Sequence, residues 1–361
     1  MTHLVHVGTR DDPHAQARKA RQLPILLHSM SIFREIFEIL FDSRKLSIVI
    51  EVGVESGKVS GMYAELGAVA VHCIDPLPTD ELRANLAQND ALHLVEGWSP
   101  GVLAELPVAD LYVLDGDHNY ATVQDELAWI MANAPDAVIA MHDVLWPWHR
   151  RDLYYEPTTV PAERRHPASH DGPTVWHDEL TPGGFVGNGA FTAACQGGGE
   201  RNGVLTAVED ALATAGGDWR FEVVPAVFGM GVLLRESSPG AAEMLERLRP
   251  YTESRLLATM ENNRIALYTK VLQMQFEAVA HGDDADRLAE AISGQRHEID
   301  RLQAELREAD GRRQNELDAL RRENERLRTL LSRRFRQRLA GSLTELGRTA
   351  KARLQERAPQ R

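Results

Sequence analysis

The sequence predicts an α/β fold, a doubly wound parallel sheet that ends in an antiparallel hairpin and is followed by an α-helical coiled coil. Three observations carry this prediction. Short apolar runs alternate with helical periodicities from residue 46 to residue 145, Arg220–Arg235 has the pattern of two strands around a glycine turn, and heptads begin near Ile292. Strands that alternate with helices form parallel sheets, because each crossover helix covers one face.

The elements follow in order along the chain. Residues 1–45 are predicted to be an N-terminal helical segment, in which Ser31 caps a helix with a continuous apolar face. Buried strands are predicted at Leu46–Val52, Val69–Ile74, Leu92–Val95, Leu111–Leu114 and Ala137–Met141. Helices are predicted after Gly57 and over Thr79–Asn89, Ala121–Asn133 and Gly203–Thr214.

Residues 145–200 interrupt this alternation with a segment rich in Pro, Gly, His, Trp and Tyr. A long insertion of this kind in a compact domain is often a functional lid, so we expect it to recognise the acceptor within a catalytic domain at 46–240. Its aromatic side chains can pack on an acceptor ring, or they can simply fold the segment onto the core. The candidate contacts are Trp146, Trp148, Tyr154, Tyr155, Arg150 and Arg151.

Charge and cysteine content exclude several classes of protein. The formal net charge is -13, and an acidic chain is a poor general binder of nucleic acid. The two cysteines, Cys73 and Cys195, are far apart and suggest neither a disulfide framework nor a zinc site. With no signal-peptide pattern and no long apolar run, the sequence predicts a cytoplasmic protein.

The first group of candidate site residues is the segment Glu51–Gly57 (EVGVESG), directly after the first strand. Glycines between a strand and a helix let the backbone approach a nucleotide-like ligand. Asp75 ends the second strand, 24 residues after Glu51, where an acid can bind ribose hydroxyls. Alternatively, the glycines only make a tight turn and Asp75 only caps a helix.

The second group follows the fourth and fifth strands. Asp115, Asp117 and His118 come after one strand, and His142 with Asp143 after its neighbour. The carboxyl ends of parallel strands share one crevice, so the carboxylates should converge there. Paired carboxylates suit Mg²⁺, and a histidine titrates near neutral pH and can serve as general base. Alternatively, Asp117 and His118 only cap the next helix.

These motifs resemble class I S-adenosylmethionine-dependent methyltransferases of the Methyltransferase-24 type, over residues 46–145, with signatures DGDHxY and HDV. The hairpin at Arg220–Arg235 also resembles the end of that fold. The resemblance implies a cofactor site for S-adenosyl-L-methionine, with Asp75 on the ribose and the segment from Glu96 to Ser99 near the adenine. The implied cofactor-binding residues are Glu51, Gly53, Glu55, Ser56, Gly57, Asp75, Gly97, Trp98, Ser99 and Asp115.

Around the second group the chain is similar to macrolide-sugar O-methyltransferases. That likeness implies O-methylation of a glycan or glycosylated metabolite, with His118, Asp115 and Asp143 as catalytic residues. It also implies a Mg²⁺ held by Asp115 and Asp143, with His142 as a further ligand. Two residues depart from the family pattern, since Glu55 replaces a glycine and His142 replaces an acid.

Three other functions are compatible with parts of the sequence. A nucleotide-binding oxidoreductase would need GxGxxG, but Gly53 and Gly57 are four residues apart. The segment Gly97–Gly101 matches the GxSxG motif of hydrolases, yet Pro100 lacks the N–H that an oxyanion hole needs there. A catalytically inactive adaptor that acts through its coiled coil remains a further alternative.

A helical connector is predicted at 241–285, a coiled coil at 286–332 and a basic amphipathic tail at 333–361. Ile292, Ile299 and Leu306 take a positions; after a one-residue skip so do Leu317, Asn324 and Leu331. The pattern predicts a parallel homodimer, or else a partner-binding rod or a single solvated helix. The tail from residue 329 carries nine Arg/Lys against two Glu, which favours either a peripheral contact with an anionic membrane or a solubilising end.

Overall fold

The computed structural model describes residues 14–22 and 30–355. These residues belong to two compact units, Met1–Ala278 and Val279–Arg361. The described part contains ten strands and eight α-helices. The strands are β1 Ile48–Val52, β2 Ala70–Asp75, β3 Leu92–Glu96, β4 Leu111–Leu114, β5 Val138–Met141, β6 Leu153–Tyr154, β7 Ala168–Ser169, β8 Thr192–Ala194, β9 Trp219–Val224 and β10 Met230–Arg235.

The helices begin and end close to the sequence predictions in most cases. They are α1 Ala15–Gln22, α2 Arg34–Ser43, α3 Ser60–Glu65, α4 Asp80–Leu86, α5 Tyr120–Asn133, α6 Val204–Ala215, α7 Ala241–Thr252 and α8 Arg255–Gln355. Predictions that fall on residues 1–13, 23–29 and 356–361 lie outside the described residues. Ser31 was predicted to cap α2, and this is wrong, because a 3-10 helix over Met30–Phe33 precedes it and Phe33 is the N-cap.

Seven strands form one sheet in the order β3-β2-β1-β4-β5-β10-β9. The first five are parallel, and β10 pairs antiparallel with both β5 and β9. This confirms the doubly wound, Rossmann-like sheet with a terminal antiparallel hairpin. The chain leaves β1 in both directions, towards β2 on one side and β4 on the other, so the topological switch point lies between β1 and β4.

The sheet is buried on both faces by two apolar clusters. Successive side chains of β1 point to opposite faces of the sheet. Val49 packs in one cluster with Phe37, and Ile50 packs in the other with Leu127. Side chains of α2 cover the first face, and side chains of α5 and α6 cover the second. Burial on both faces explains why the central strands are continuous apolar runs rather than alternating ones.

The insertion at 145–200 has more regular structure than its composition predicts. It contains β6, β7 and β8 in a small antiparallel sheet, together with short 3-10 helices. Trp148 and Tyr154 are buried in the core, so they cannot pack on an acceptor, and the alternative of a core-folding role is the correct one for them. Arg150 forms a two-pronged ion pair with Glu209 at 2.6 and 2.7 Å, which anchors the segment to α6.

The predicted connector and coiled coil are helical in the structure, and the boundary between them stays a prediction. α8 starts at Arg255 and continues through residue 285, where the connector was predicted to end. The two heptad stretches are eleven residues apart, from Leu306 to Leu317. This is not the one-residue skip that was predicted; eleven residues are close to three helical turns and keep the apolar stripe on one face. Within the described ranges, no helix combines the length and apolarity needed to cross a bilayer.

Candidate functional site

The ends of β1 and β4 approach each other closely at the switch point. Gly53 follows β1 with φ +84°, and its N–H donates to the carbonyl oxygen of Ile74 at 3.1 Å. A Cβ added to Gly53 would lie 2.2 Å from the carbonyl oxygen of Asp115, the first residue after β4. Because glycine has no Cβ, Gly53 can adopt a positive φ and also let the ends of β1 and β4 come into contact.

We expect Gly53→Ala to destabilise the fold and disturb Asp115, because both the backbone angle and the clash oppose the methyl group. Gly217→Ala is the matched control, since Gly217 has φ +85° but no atom within 4 Å of its added Cβ. The control should cost about 1–2 kcal/mol, the price of the left-handed conformation alone. Thermal unfolding should show a larger loss for Gly53→Ala, and equal losses would contradict the close approach.

The predicted cofactor loop is formed by residues 51–57. Glu51 does not face an open pocket, because its buried side chain accepts a 2.5 Å hydrogen bond from the hydroxyl of Ser60. Burial raises the pKa of Glu51 to about 8, against the opposing effect of that hydrogen bond. Glu55 has φ +53°, which is the left-handed conformation that a glycine adopts without strain. The departure from the family pattern thus changes the side chain while the loop keeps a glycine-like backbone there.

The second part of the predicted cofactor site lies at the ends of β2 and β3. One carboxylate oxygen of Asp75 accepts the Leu77 N–H at 2.9 Å, and its other oxygen has no hydrogen bond among the described residues. Asp75 is therefore both a turn-forming residue and a free acceptor. Asp75 pairs in register with Glu96, which brings the segment Gly97–Ser99 beside it. Ser99 Oγ is buried without a hydrogen-bond partner in the described structure, and Trp98 is largely exposed.

Four ionisable side chains converge after β4 and β5, as the sequence predicts. His118 Nε2 lies 3.2 Å from Asp143 Oδ2 and 3.8 Å from Asp115 Oδ1. His142 Nδ1 lies 3.1 Å from the same Asp115 oxygen and 3.6 Å from the same Asp143 oxygen. His118, His142 and Asp143 are buried, and Asp115 is partly open. The cluster therefore consists of two imidazoles facing two carboxylates. Asp117 stands apart from it, and its Oδ1 accepts the Tyr155 N–H at 3.4 Å.

The hydrogen bonds of His142 indicate that both of its ring nitrogens carry protons. Nε2 lies 2.8 Å from the carbonyl oxygen of Val227, which can only accept, and Nδ1 faces a carboxylate. Burial alone would lower the pKa of His142, but the charges of Asp143 and Asp115 and the two hydrogen bonds outweigh it. Together they raise the pKa of His142 to about 9. At neutral pH, His142 is therefore a cation between two carboxylates.

The same residues can be tested as a metal site. One ligand atom each from Asp115, His142 and Asp143 lies within 4.8 Å of the others, a spacing that an ion can bridge. The donor set does not fit Mg²⁺, which prefers oxygen ligands and retains several waters. One of the three donors is an imidazole nitrogen on a buried side chain. The positive charge that Mg²⁺ would bring to the two carboxylates is already supplied by protonated His142.

The carbonyl that fixes His142 belongs to a strained turn between β9 and β10. Val227 and Phe228 have φ +45° and +63°, which is rare for a β-branched residue and a bulky one. The carboxylate of Glu261, on α8, accepts both of their N–H groups at 2.9 and 2.8 Å. Arg264 pairs with Glu261 at 2.7 Å and lies 4.3 Å above the Phe228 ring.

Sequence reasoning missed Glu261, although it left a signal. Glu261 is the one acid in the row that packs α8 against the core with Leu257, Ile265, Tyr268 and Leu272. An acid in an apolar helix stripe predicts a buried partner, because an unpaired buried carboxylate is costly. Burial would raise the pKa of Glu261, but the hydrogen bonds from Arg264 and the Phe228 N–H lower it. The carboxylate is therefore ionised when it holds the turn.

The insertion contributes one accessible aromatic side chain to this site. The ring of Tyr155 lies 6.3 Å from the ring of His118 and is 52% exposed. Its other neighbour is Phe191, at 6.0 Å and edge-on. Of the aromatic residues predicted to meet an acceptor, Tyr155 is the one that is both exposed and next to the cluster.

Asp143 keeps one acceptor unused in this cluster. Its Oδ1 is buried without a hydrogen-bond partner among the described residues, and its backbone has φ +59°.

The chain is similar to known proteins in part of its sequence and in its fold. Residues 50–144 match a protein family described as a methyltransferase domain. No curated protein sequence matches the chain. Among solved structures, the chain is similar to an O-methyltransferase from Bacillus cereus in complex with SAH, at 12% identity and a TM-score of 0.37, covering 61% of this chain and 87% of that one. It is also similar to cofactor-bound Rv0187 from MTB, at 15% identity and a TM-score of 0.36, covering 64% and 92%.

Proposed function

We propose that this chain, whose residues 50–144 match a methyltransferase domain family, is a class I S-adenosylmethionine-dependent methyltransferase that methylates an acceptor hydroxyl with His118 as general base. The observation that carries the proposal is the position of His118. Its ring nitrogen lies 3.2 Å from Asp143, at the carboxyl edge of the sheet, where the connections that follow β1 and β4 lead to opposite sides. Ligands of open α/β sheets bind at this edge.

The residues around the switch point suit S-adenosylmethionine. The Gly53–Gly57 loop offers backbone without side-chain obstruction at Gly53, and Asn85 holds the loop through a 2.7 Å hydrogen bond to the Ser56 carbonyl. The oxygen of Asp75 without a hydrogen bond can accept from a ribose hydroxyl, and Gly97, Trp98 and Ser99 adjoin it. When bound, the cofactor supplies an electrophilic methyl group on a cationic sulfur. Glu51 instead accepts from Ser60, the first residue of α3, and so ties that helix to the end of β1.

His118 can remove the proton that the acceptor oxygen must lose. Asp143 Oδ2 only accepts hydrogen bonds, so neutral His118 carries its proton on Nε2 and offers Nδ1 as the basic nitrogen. With S-adenosylmethionine bound, Nδ1 would take the proton that the acceptor hydroxyl loses as its oxygen displaces the cofactor sulfur from the methyl group. The resulting imidazolium is stabilised by Asp143 and, at 3.8 Å, by Asp115. The partnerless Oδ1 of Asp143 can accept a hydrogen bond from a second hydroxyl of the acceptor, because the reacting hydroxyl gives its only proton to His118.

The acceptor class follows from the surroundings of the base. Tyr155 presents an exposed ring 6.3 Å from His118, and sugar rings stack on such faces through their apolar C–H surfaces. Together with the resemblance to sugar O-methyltransferases, this favours a glycan or a glycosylated metabolite over a charged small molecule. Arg150 and Arg151 do not favour an anionic acceptor, because the first pairs with Glu209 and the second donates to the Ala194 carbonyl.

We expect Asp75→Ala to weaken S-adenosylmethionine binding by about 10- to 100-fold, since a hydrogen bond to a charged group contributes about 1.5–3 kcal/mol. Isothermal titration calorimetry measures this directly. Asp80→Ala is the control, because Asp80 is an exposed acid in the first turn of α4. Equal affinity of the two variants would remove Asp75 from the cofactor site.

Removal of divalent metal should leave the activity unchanged. Protonated His142 occupies the space between the two carboxylates, so the base needs no Mg²⁺ to act. Methyl transfer should therefore survive exhaustive EDTA treatment and gel filtration. Loss of activity that returns with Mg²⁺, Mn²⁺ or Zn²⁺ would show instead that His142 is a ligand and not a cation.

The function as a whole is tested by methyl transfer from isotopically labelled S-adenosylmethionine. The full-length chain is incubated with pools of glycans, glycosylated metabolites and simple phenols, and the products are separated by mass. The proposal predicts a product heavier than the acceptor by one labelled methyl group in place of one hydrogen, with a methyl ether that resists mild base. A base-labile methyl ester or a methylated amine would contradict hydroxyl transfer.

A further inference from the structure

α8 carries an exposed apolar stripe in its second heptad stretch. Leu317, Leu320, Leu327 and Leu331 are spaced by three, seven and four residues and are 43%, 61%, 51% and 67% exposed. Asn324 lies between them at the remaining position of the same stripe. Residues with this spacing occupy a and d positions, with Leu317, Asn324 and Leu331 at a. A solitary helix gains nothing by exposing such a row to water.

The charges beside the stripe show which occupant fits it. Glu316 and Glu323 precede their a residues and take g positions, whereas Arg321 and Arg328 follow at e positions. In a parallel, in-register pair, each g residue faces the e residue five positions later on the other chain. Glu316 then meets Arg321 of the second copy, and Glu323 meets Arg328 of the second copy. The two-fold symmetry makes four attractive contacts.

An antiparallel pair would reverse this outcome. There g faces g and e faces e, so glutamates would oppose glutamates and arginines would oppose arginines. The asparagine adds a second constraint, because an Asn at one a position is satisfied by the same residue of a partner in register and disfavours higher oligomers. The charged g and e positions and Asn324 therefore both favour a second copy of this chain in a parallel, in-register pair.

We propose that residues 292–331 of α8 pair two copies of this chain as a parallel, in-register dimer whose orientation is set by residues 316–331. The upstream stretch adds apolar area through Ile292, Ile299, Leu302 and Leu306. Its one pair of charged g and e positions brings Glu305 against Asp310, two like charges that oppose this pairing, so the orientation depends on the four attractive contacts of residues 316–331. The pairing is independent of methyl transfer, so each can fail without the other.

The test uses two full-length variants with reversed charges. One carries Glu316→Arg and Glu323→Arg, and the other carries Arg321→Glu and Arg328→Glu. Each alone should dissociate to the 40.2 kDa monomer, with a dimer dissociation constant raised by about 100-fold as four contacts turn repulsive. Mixed in equal amounts, the two should recover a dimer of one chain of each kind. Light scattering gives the mass, and different affinity tags identify the mixed species.

The control variant carries Arg322→Glu and Glu325→Arg, which alter residues at f and b positions on the outer face. It should dimerise as the wild-type chain does. Asn324→Leu should tighten association and admit trimers or tetramers. A monomeric wild-type chain, reversed-charge variants that still dimerise alone, or a mixture that stays monomeric would each overturn the proposal. Circular dichroism confirms that the variants remain helical.

Discussion

His118→Gln is expected to lower kcat by about 100- to 10,000-fold, the usual contribution of a positioned general base. Cofactor affinity should not change, because His118 belongs to the acceptor side of the crevice and not to the Gly53–Gly57 loop. The measurement is steady-state methyl transfer with calorimetric cofactor binding on the same preparation. Added imidazole should restore part of the lost activity, since a small base can enter the space that the ring vacates.

His170→Gln serves as the control, because His170 is an exposed histidine of the insertion. It should retain wild-type kinetics. Two results would contradict the role of His118: a variant with undiminished kcat, or one whose loss is matched by an equal loss of cofactor affinity. The second result would indicate a disturbed pocket and not a missing base.

Glu261→Ala is expected to cost about 3–5 kcal/mol of stability, the range for removing one partner of a buried charged network. The substitution leaves the N–H groups of Val227 and Phe228 unpaired in a strained turn, and it frees Arg264 from its ion pair. Because the Val227 carbonyl holds Nε2 of His142, the pKa of His142 should fall along with kcat. Thermal unfolding measures the loss of stability. A histidine NMR titration measures the pKa of His142, and methyl-transfer kinetics measure kcat.

Two variants on α8 make this prediction specific. Glu277→Ala removes an exposed acid of the same helix and should change neither stability nor His142. Glu261→Gln keeps one accepting oxygen, so it should lie between alanine and wild type in all three measurements. If Glu261→Ala unfolds more easily but leaves the pKa of His142 and kcat unchanged at low temperature, Glu261 supports the fold without positioning the site.

Much of the fold follows from local pattern. β4 was predicted to the residue, and the other parallel strands to within two residues at each end, because strands buried on both faces are short apolar runs bounded by polar turns. The insertion was harder to predict. Its burial depends on rings that meet across long stretches of chain, such as Trp148 with Phe185 and Phe191, and no local period records such contacts.

The sequence predicts which residues meet in the candidate site, but it does not predict that His142 is protonated there. Topology alone brings Asp115, His118, His142 and Asp143 together, since all four follow neighbouring parallel strands. The protonation of His142 depends on how its burial balances against the charges of Asp143 and Asp115, and then on the Val227 carbonyl, which lies 85 residues later in a turn held from α8. The sequence therefore suggested a magnesium site, whereas the structure favours an internal cation.

The central claim, that the crevice between β1 and β4 binds S-adenosylmethionine, is tested most directly by calorimetric titration of the full-length chain. The structure predicts saturable binding of one cofactor per chain, competed by S-adenosylhomocysteine and weakened in Asp75→Ala. Absence of binding at cofactor concentrations up to about 1 mM, where even an affinity of about -4 kcal/mol would be detected, would contradict the assignment.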